Sequence, residues 1–577
     1  MSILVYVCLR RPDSAAQVTQ SLRSLAKRLT PDNIAVPTPK ILGSGGIIVG
    51  VFNPNETIHF ADRGVCAGYL VQSADWAEPL SGRPDGAYAL FRGNNDHVEL
   101  LSDSLASRTI WHFKNEEIFI ASTSQRAIVA LAGSFSFNPK VVAWMLSSGM
   151  LGPQHGWDSR IHPLEGGASF VLDRRSWQVS ITTEPVNFAP LEASDEEHAA
   201  RITQALQSAI SHAKFNSTQW VFPLSGGIDC RTLLCLINDK ARLRTVTWGI
   251  RASLRQRNSD ACVARDLAQR LGLENTFHQI DRSTEPVGDV FDRFLRAGEG
   301  RIDHVSGYMD GFQVWKTLHD GGVQGIIRGD EAFGRDGVAE GPPTLRSAAV
   351  RIAAMPVWSD FADLPPLAQF GIPAQEIPER LLWRDNESSE TWRDRLQHQF
   401  RFPVVLSALN DLKLPYVEVA APLLANSIVT EIRKLPDHLR TNKTLLRRIA
   451  QQLNPPVRVA RYPATDLATD ILKSAPVVAF LKDELAAIRK ESTVPSDLLD
   501  SVLDKIVHAG AQERRSTIWR NLKRTFAAYI PERPKGVTPN SLPGRPPIDF
   551  NRMAFRIMLI SRMQIILNED AATLRVS

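Results

Sequence analysis

Cysteine is scarce in this chain: five in 577 residues, at Cys8, Cys66, Cys230, Cys235 and Cys262, with no CxxC pair. The odd count and irregular spacing exclude a disulfide framework and a cysteine zinc site, and read as a reduced, cytoplasmic protein. No apolar run approaches the ~18 residues that a membrane span needs, so no membrane partner is expected. The opening Met1-Ser2-Ile3-Leu4-Val5-Tyr6-Val7-Cys8 carries its arginines after the apolar run, the reverse of a signal peptide, and reads as a first strand. Charge of one sign is also scarce. With 67 basic and 62 acidic residues the net charge is +5, which permits an acidic partner such as ATP or nucleic acid without demanding one. There is no GxxxxGK[ST] loop and no dinucleotide fingerprint; Gly43-Ser44-Gly45-Gly46 fails the spacing and reads as a loop. Repeats and low-complexity tracts are lacking too. What remains is an ordinary globular composition, 43% hydrophobic and 22% charged, long enough for about four domain-sized units at most.

Residues 1–190 read as β-rich. Short apolar runs at 47–52, 87–91, 98–101, 118–121, 169–172 and 179–181 recur between Gly, Pro, Asn and Asp, with one helical stretch at 139–146. The pattern fades over 185–195. An amphipathic helix then follows Asp195-Glu196-Glu197, with Ile202, Leu206 and Ile210 on one face. The domain boundary is placed there, giving units of 1–190 and 195–577. From 219 onward, strands predicted at 220–224, 245–250 and 276–280 alternate with helices at 229–237 and 259–271, the latter capped by Asn258 or Ser259. That alternation implies a parallel sheet with helices on both faces. Beyond 340 the chain reads as mostly helical, ending in a basic helix at 514–524, a Pro-rich loop at 531–547 and a last helix near 551–568.

The sharpest motif is Leu224-Ser225-Gly226-Gly227-Ile228-Asp229. Alone, Ser-Gly-Gly is an ordinary tight turn. Between a buried strand and a helix it becomes an anion cradle: two glycines let the backbone approach a ligand, and the helix adds its positive end. Ser225 adds a hydroxyl, and Asp229 can orient the loop or hold Mg2+.

This segment resembles the pyrophosphate loop of the asparagine-synthetase-like branch of the ATP pyrophosphatases, with Cys230 where a serine is usual. Thr245–Gly249, including Thr247, resembles the strand beneath the adenine, and Asn258-Ser259-Asp260 with Ala264 the opening of the next helix. Arg328-Gly329-Asp330-Glu331-Ala332-Phe333-Gly334 resembles the second phosphate and magnesium motif, with Asp330 binding Mg2+. Val417-Glu418-Val419-Ala420-Ala421-Pro422-Leu423-Leu424 resembles the core segment before the catalytic lysine, although Ala420 and Ala425 replace the usual arginine and aspartate. Asn442-Lys443-Thr444-Leu445-Leu446-Arg447 matches the lysine itself. The resemblance implies Leu224, Ser225, Gly226, Gly227, Asp229, Cys230, Thr247 and Gly329 around ATP, and Asp229 with Asp330 on Mg2+. It makes Lys443 the group that stabilises charge on the transferred adenylate, a strong electrostatic device.

The front half resembles the class II glutamine amidotransferase domain of asparagine synthetases. The likeness runs through Asp85-Gly86-Ala87-Tyr88-Ala89-Leu90, Asp103-Ser104-Leu105-Ala106-Ser107-Arg108, Phe119-Ile120-Ala121-Ser122 and His162-Pro163-Leu164-Glu165-Gly166-Gly167. The implied architecture is an αββα front domain of Ntn type joined to a doubly wound α/β ATP-pyrophosphatase domain with extra helices. That front domain needs an N-terminal cysteine, whose own amine is the base. Here Ser2 follows Met1, so the fold is expected to persist without glutamine hydrolysis.

The amine must then come from the substrate. β-Lactam synthetases use a tyrosine in the second phosphate motif, but the matching residue here is Ile327. Lasso-peptide cyclases join a peptide's N-terminal amine to an Asp or Glu side chain, and theirs is the better resemblance. It implies an ATP-dependent, AMP-forming carbon–nitrogen ligase, a precursor (core) peptide as substrate and a leader peptidase as partner, for which the basic segment 514–524 is a candidate dock. His304 and Tyr308 read as structural. The competing readings are a small-molecule amide synthetase, a tRNA-modifying ATP pyrophosphatase, against which the amidotransferase-like front half speaks, and a non-catalytic scaffold suggested by Cys230, Ala420 and Ala425.

Overall fold

The computed structural model describes residues 3–55, 58–71, 75–211, 215–238, 240–334, 365–453, 457–465, 468–489, 493–508 and 548–574. Ser2, the basic segment 514–524 and the Pro-rich segment 531–547 lie outside them. It is a mixed α/β structure with three main sheets.

The apolar runs of the front half pair into two six-stranded antiparallel sheets. In spatial order the first holds His162–Pro163, Trp111–Lys114, Ile118–Ser122, Ile3–Leu9, Ile47–Phe52 and Lys40–Ser44. The second holds Val179–Thr183, Ala168–Asp173, His97–Ser102, Gly86–Gly93, Gly64–Leu70 and His59–Ala61. Alternation along the strands gives each sheet an inner face. Leu4, Tyr6, Val49 and Phe119 from one meet Val65, Phe91, Leu100 and Phe170 from the other in a closed core. Gly45 and Gly46 form the hairpin turn between Lys40–Ser44 and Ile47–Phe52. Both have positive φ (56° and 79°), as a two-residue turn requires.

The single helix expected in the front half is corrected to three: Ala15–Leu29, Gln125–Ala132 and Lys140–Ser148. The first two were missed because charged residues interrupt one and a continuous buried run, Gln125 to Ala130, hides the period of the other. They pack on the outer side of the first sheet, where Val5, Val7 and Leu9 meet Leu22, Leu25 and Ile128.

The rear half contains a five-stranded sheet, parallel throughout, in the order Asn275–Gln279, Arg244–Gly249, Trp220–Pro223, Gly325–Ile327, Glu418–Ala420. The three strands expected here are present within one residue of the expected bounds. The chain winds outward from Trp220–Pro223 to one edge, then returns to build the other. The strand order therefore reverses between Trp220–Pro223 and Gly325–Ile327, and a crevice opens beyond their carboxyl ends, the usual ligand position in an open α/β sheet.

The last helix, Phe550–Thr573, is buried along much of its length rather than appended. Its Arg556 pairs with Asp303 (2.8 Å), and its Asp570 takes Arg126 (2.8 Å) and Arg28 (2.5 Å) of the front half. The patternless stretch 185–195 is likewise docked: Ala189 and Leu191 donate to the carbonyls of Arg433 and Lys434 (3.0 and 2.9 Å). Among the described residues no helix is long and apolar enough to cross a membrane.

Candidate functional site

The glycine loop follows strand Trp220–Pro223 and leads into helix Ile228–Leu236, with Gly227 at its N-cap. Segment 328–334 follows the neighbouring strand Gly325–Ile327. Adjacent parallel strands thus deliver both motifs to the same end of the sheet. Between them lies a cavity of about 270 Å3, lined by Leu224, Ser225, Gly227, Asp229, Cys230, Thr247, Gly329 and Asp330 among others. All eight are among the residues expected around ATP and Mg2+ from the sequence motifs.

Gly226 also meets a packing demand. Neither it nor Gly227 has a positive φ. A Cβ on Gly226 would lie 2.4 Å from Ala460 Cβ and 2.8 Å from Val263 Cβ. Its small size lets the loop pack against Ala460 and Val263. Gly329 shows the same need more sharply: a Cβ there would stand 2.6 Å from Cys230 Cα and 2.7 Å from Cys230 N. The second motif can touch the head of helix Ile228–Leu236 only through a glycine.

Cys230 faces its own loop. Its Sγ lies 3.0 Å from Ser225 Oγ and accepts from Ser225 N (3.4 Å), which fixes the bend. Burial raises the thiol above its ordinary pKa. Thr247 donates to the Leu224 carbonyl (2.8 Å) and accepts from Asn275 Nδ2 (3.1 Å), bracing the strand end beneath the loop.

Lys443 arrives from a distant helix start. Its Nζ sits 2.6 Å from Asp229 Oδ2 and 2.6 Å from Glu331 Oε1, so one ammonium ties the glycine loop to the second motif. The turn that presents it is strained: Asn442 and Lys443 are consecutive left-handed residues without being glycine (φ 55° and 56°). The Lys443 amide donates to the Gly334 carbonyl (3.1 Å), which holds that turn against the acidic segment.

Asp330 is engaged differently. Arg328 Nε and one terminal nitrogen reach its two oxygens at 3.1 and 2.9 Å. Burial by itself would raise the Asp330 carboxyl, but the guanidinium overrides it and holds the group below the ordinary carboxylate range. Asp229 has one buried oxygen, Oδ1, with no hydrogen-bond partner among the described residues. This orphan oxygen suits a cation. Among the described residues no three His, Cys, Asp or Glu side chains gather as a metal-binding group. A donor set of one or two carboxylates matches Mg2+ that takes its other oxygens from phosphate and water.

The structure adds residues that the sequence reading left without a role. Trp248, Asp260 and Arg328 line the cavity, as do Pro463, Ala464 and Thr465. Burial raises the Asp260 carboxyl above its ordinary value. Residues 457–465 form a strap across the loop: Ala460 N donates to the Gly226 carbonyl (2.9 Å) and Ile250 N to that of Ala464 (2.8 Å). Arg231 fastens it, donating to the carbonyls of Val457 (2.7 Å) and Arg458 (2.8 Å). Trp248, Asp260 and Arg328 lie within the motifs quoted above, but nothing local in 457–465 announces the strap. His304 is 3.5 Å from Asp303, while Tyr308 is buried with its ring tilted against that of Phe312 (centroids 4.9 Å apart).

No family model matches the sequence, and no curated protein matches it. Solved structures that are similar to it include the following two. One is an allosteric regulatory enzyme of purine biosynthesis, 9% identical, with 38% of this chain and 60% of that chain covered and a TM-score of 0.20. The other is the glutamine phosphoribosylpyrophosphate amidotransferase from B. subtilis complexed with ADP and GMP, 10% identical, with 58% of this chain and 83% of that chain covered and a TM-score of 0.20. This chain thus spans 60% of the first structure's length, and at that TM-score neither likeness carries an argument here.

Proposed function

We propose that this chain forms an amide bond at the expense of ATP, activating a carboxylate as an acyl-adenylate and passing it to an amine. The observation that carries the reading is the placement of Lys443 against both Asp229 and Glu331, at the cavity where two phosphate-type motifs converge.

The residues divide the work as follows. The first-turn N–H groups of helix Ile228–Leu236 lack partners within the helix and suit a departing pyrophosphate. Mg2+, when bound, would be held by Asp229 through its orphan oxygen, and by Asp330 once Arg328 turns aside, and would neutralise phosphate charge. Lys443, at the meeting of the two motifs, is the group placed to face the charge that develops at the α-phosphate and acyl carbon. A substrate carboxylate oxygen bonds to the α-phosphorus as the bond to pyrophosphate breaks. Next the amine bonds to the acyl carbon, the bond to AMP breaks, and the amine proton passes to solvent or a base.

The amine is proposed to be the substrate's own. None of the five cysteines offers an accessible thiolate for making ammonia from glutamine. Cys8, Cys66, Cys230 and Cys262 are buried, and burial raises the half-buried Cys235. We take the substrate to be a precursor peptide whose N-terminal amine closes a macrolactam on an Asp or Glu side chain, after a leader peptidase has freed that amine. Incubation with Mg·ATP and a candidate core peptide tests this. The expected result is AMP, pyrophosphate and a peptide lighter by one water. Amide formation with free ammonia and a small acid, without any peptide, would overturn the macrolactam assignment.

A further inference from the structure

Segment 328–334 carries Asp330 and Glu331 yet has no regular secondary structure. Its ends are tied by Arg328 N to the Ala420 carbonyl (2.7 Å) and by Lys443 N to the Gly334 carbonyl (3.1 Å). Its middle is held from a ten-residue π-helix, Gln397–Leu406, with Pro403 inside it. Such long π segments are rare, and π geometry is frequent at functional sites. From its first turn His398 Nε2 reaches the Ala332 carbonyl (2.9 Å) and Gln397 Nε2 the Phe333 carbonyl (3.3 Å).

The tautomer of His398 follows from its other side. Arg433 Nε stands 3.3 Å from His398 Nδ1. A guanidinium only donates, so Nδ1 accepts and Nε2 carries the proton given to Ala332. Arg433 in turn donates to the carbonyl of Ser104 (3.2 Å), in the turn that follows the front-half strand His97–Ser102. The imidazole is 1% exposed, with the rings of Phe188 and Phe402 at 5.0 and 5.9 Å. Burial first, and then the charge of Arg433, keep it neutral.

We infer that His398 is a positioning residue: with Arg433 and the Ser104 carbonyl it forms a relay by which the front half fixes the place of Asp330 and Glu331. The front half, lacking an accessible thiolate, thereby acts as a brace for the second acidic motif. An apolar side chain of similar size would fill the space but leave the buried Ala332 carbonyl unpaired. The inference rests on the reading that this motif receives Mg·ATP.

The test measures dissociation constants by equilibrium dialysis, for Mg·ATP and for ATP in EDTA. The proteins are the parent, His398→Leu, His398→Gln, Arg433→Met and the Leu/Met double variant. His398→Leu should weaken Mg·ATP binding about tenfold, a 1.4 kcal/mol change, and leave metal-free ATP binding unchanged. His398→Gln, which keeps an amide donor, should recover most of the loss. Arg433→Met should act in the same direction, and the double variant should be no worse than His398→Leu, as for two members of one path. Equal weakening with and without Mg2+, or no rescue by Gln, would assign His398 a packing role and overturn the inference. If the parent itself bound no ATP, the nucleotide reading would fall, and the inference with it. If the parent bound Mg·ATP and both His398→Leu and Arg433→Met bound it equally well, the inference alone would fail.

Discussion

The ammonium of Lys443 lies 2.6 Å from the carboxylate of Asp229, although 214 residues separate them. A second carboxylate, Glu331, stands as close on its other side and is almost wholly buried. One ammonium thus joins acids from two separate motifs. That link, and the packing around it, set what substitutions there should do.

Lys443→Met should lower acyl-adenylate formation by about 10²–10³-fold, the usual loss of a preorganised charge. It also leaves the buried Glu331 without its lysine, and breaking such a pair costs about 3–5 kcal/mol. Thermal melting should therefore fall, and adding Glu331→Gln should restore stability but not turnover. Recovery of both together would contradict the assigned role.

Asp229→Asn keeps the side-chain shape and removes the charge that the orphan oxygen offers. Conversion of ATP to AMP should drop by at least about 100-fold, with pyrophosphate release as the measurement. Asp330→Ala should lose activity as well and leave the half-buried Arg328 without this carboxylate. Parental rates in both variants would remove the basis of the nucleotide reading.

Gly329→Ala should separate the two motifs, because the new methyl would meet the Cys230 backbone at 2.6–2.7 Å. Backbone cannot swing away as a side chain can. The expected signature is weaker Mg·ATP binding with overall secondary structure retained, checked by dialysis and circular dichroism. Unchanged affinity would show that the close approach is incidental.

Stability should decline on acidification. Burial, with His162 nearby, lowers His112 from 6.5 to about 4. Between those values the unfolded chain binds a proton that the folded chain refuses, so this contribution is present above pH 6.5 and is lost toward pH 4. Asp310, raised by burial to about 6, acts in the opposite sense over part of that window. His112→Asn should therefore lose less melting temperature than the parent between pH 7 and pH 5. An identical loss in the two proteins would refute the assignment to His112.

The local elements of the rear half were legible because each repeats a simple pattern. Val221 and Phe222 run straight into Ser225-Gly226-Gly227, and Ser259 caps helix Asp260–Leu271 by accepting from Cys262 N (3.2 Å). Helix Gln125–Ala132 was not legible, since a run buried on all sides has no period to read. The packing of Gly226 was not legible for a related reason: a glycine's sequence neighbours do not say that Ala460 and Val263 will press against it.

The sequence alone determined which residue types were available: a glycine turn between strand and helix, an acidic segment about a hundred residues later, and a lysine opening a late helix. These follow from short-range patterns that burial and backbone geometry impose on neighbours. Only the tertiary structure decided that Lys443 bridges Asp229 and Glu331, that Arg328 occupies Asp330, that residues 457–465 cross the loop and that His398 ties the acidic segment to the front half. Those contacts depend on the order of strands in the parallel sheet and on how two halves of the chain dock. Long-range pairing of that kind leaves no periodic trace in the residues that make it.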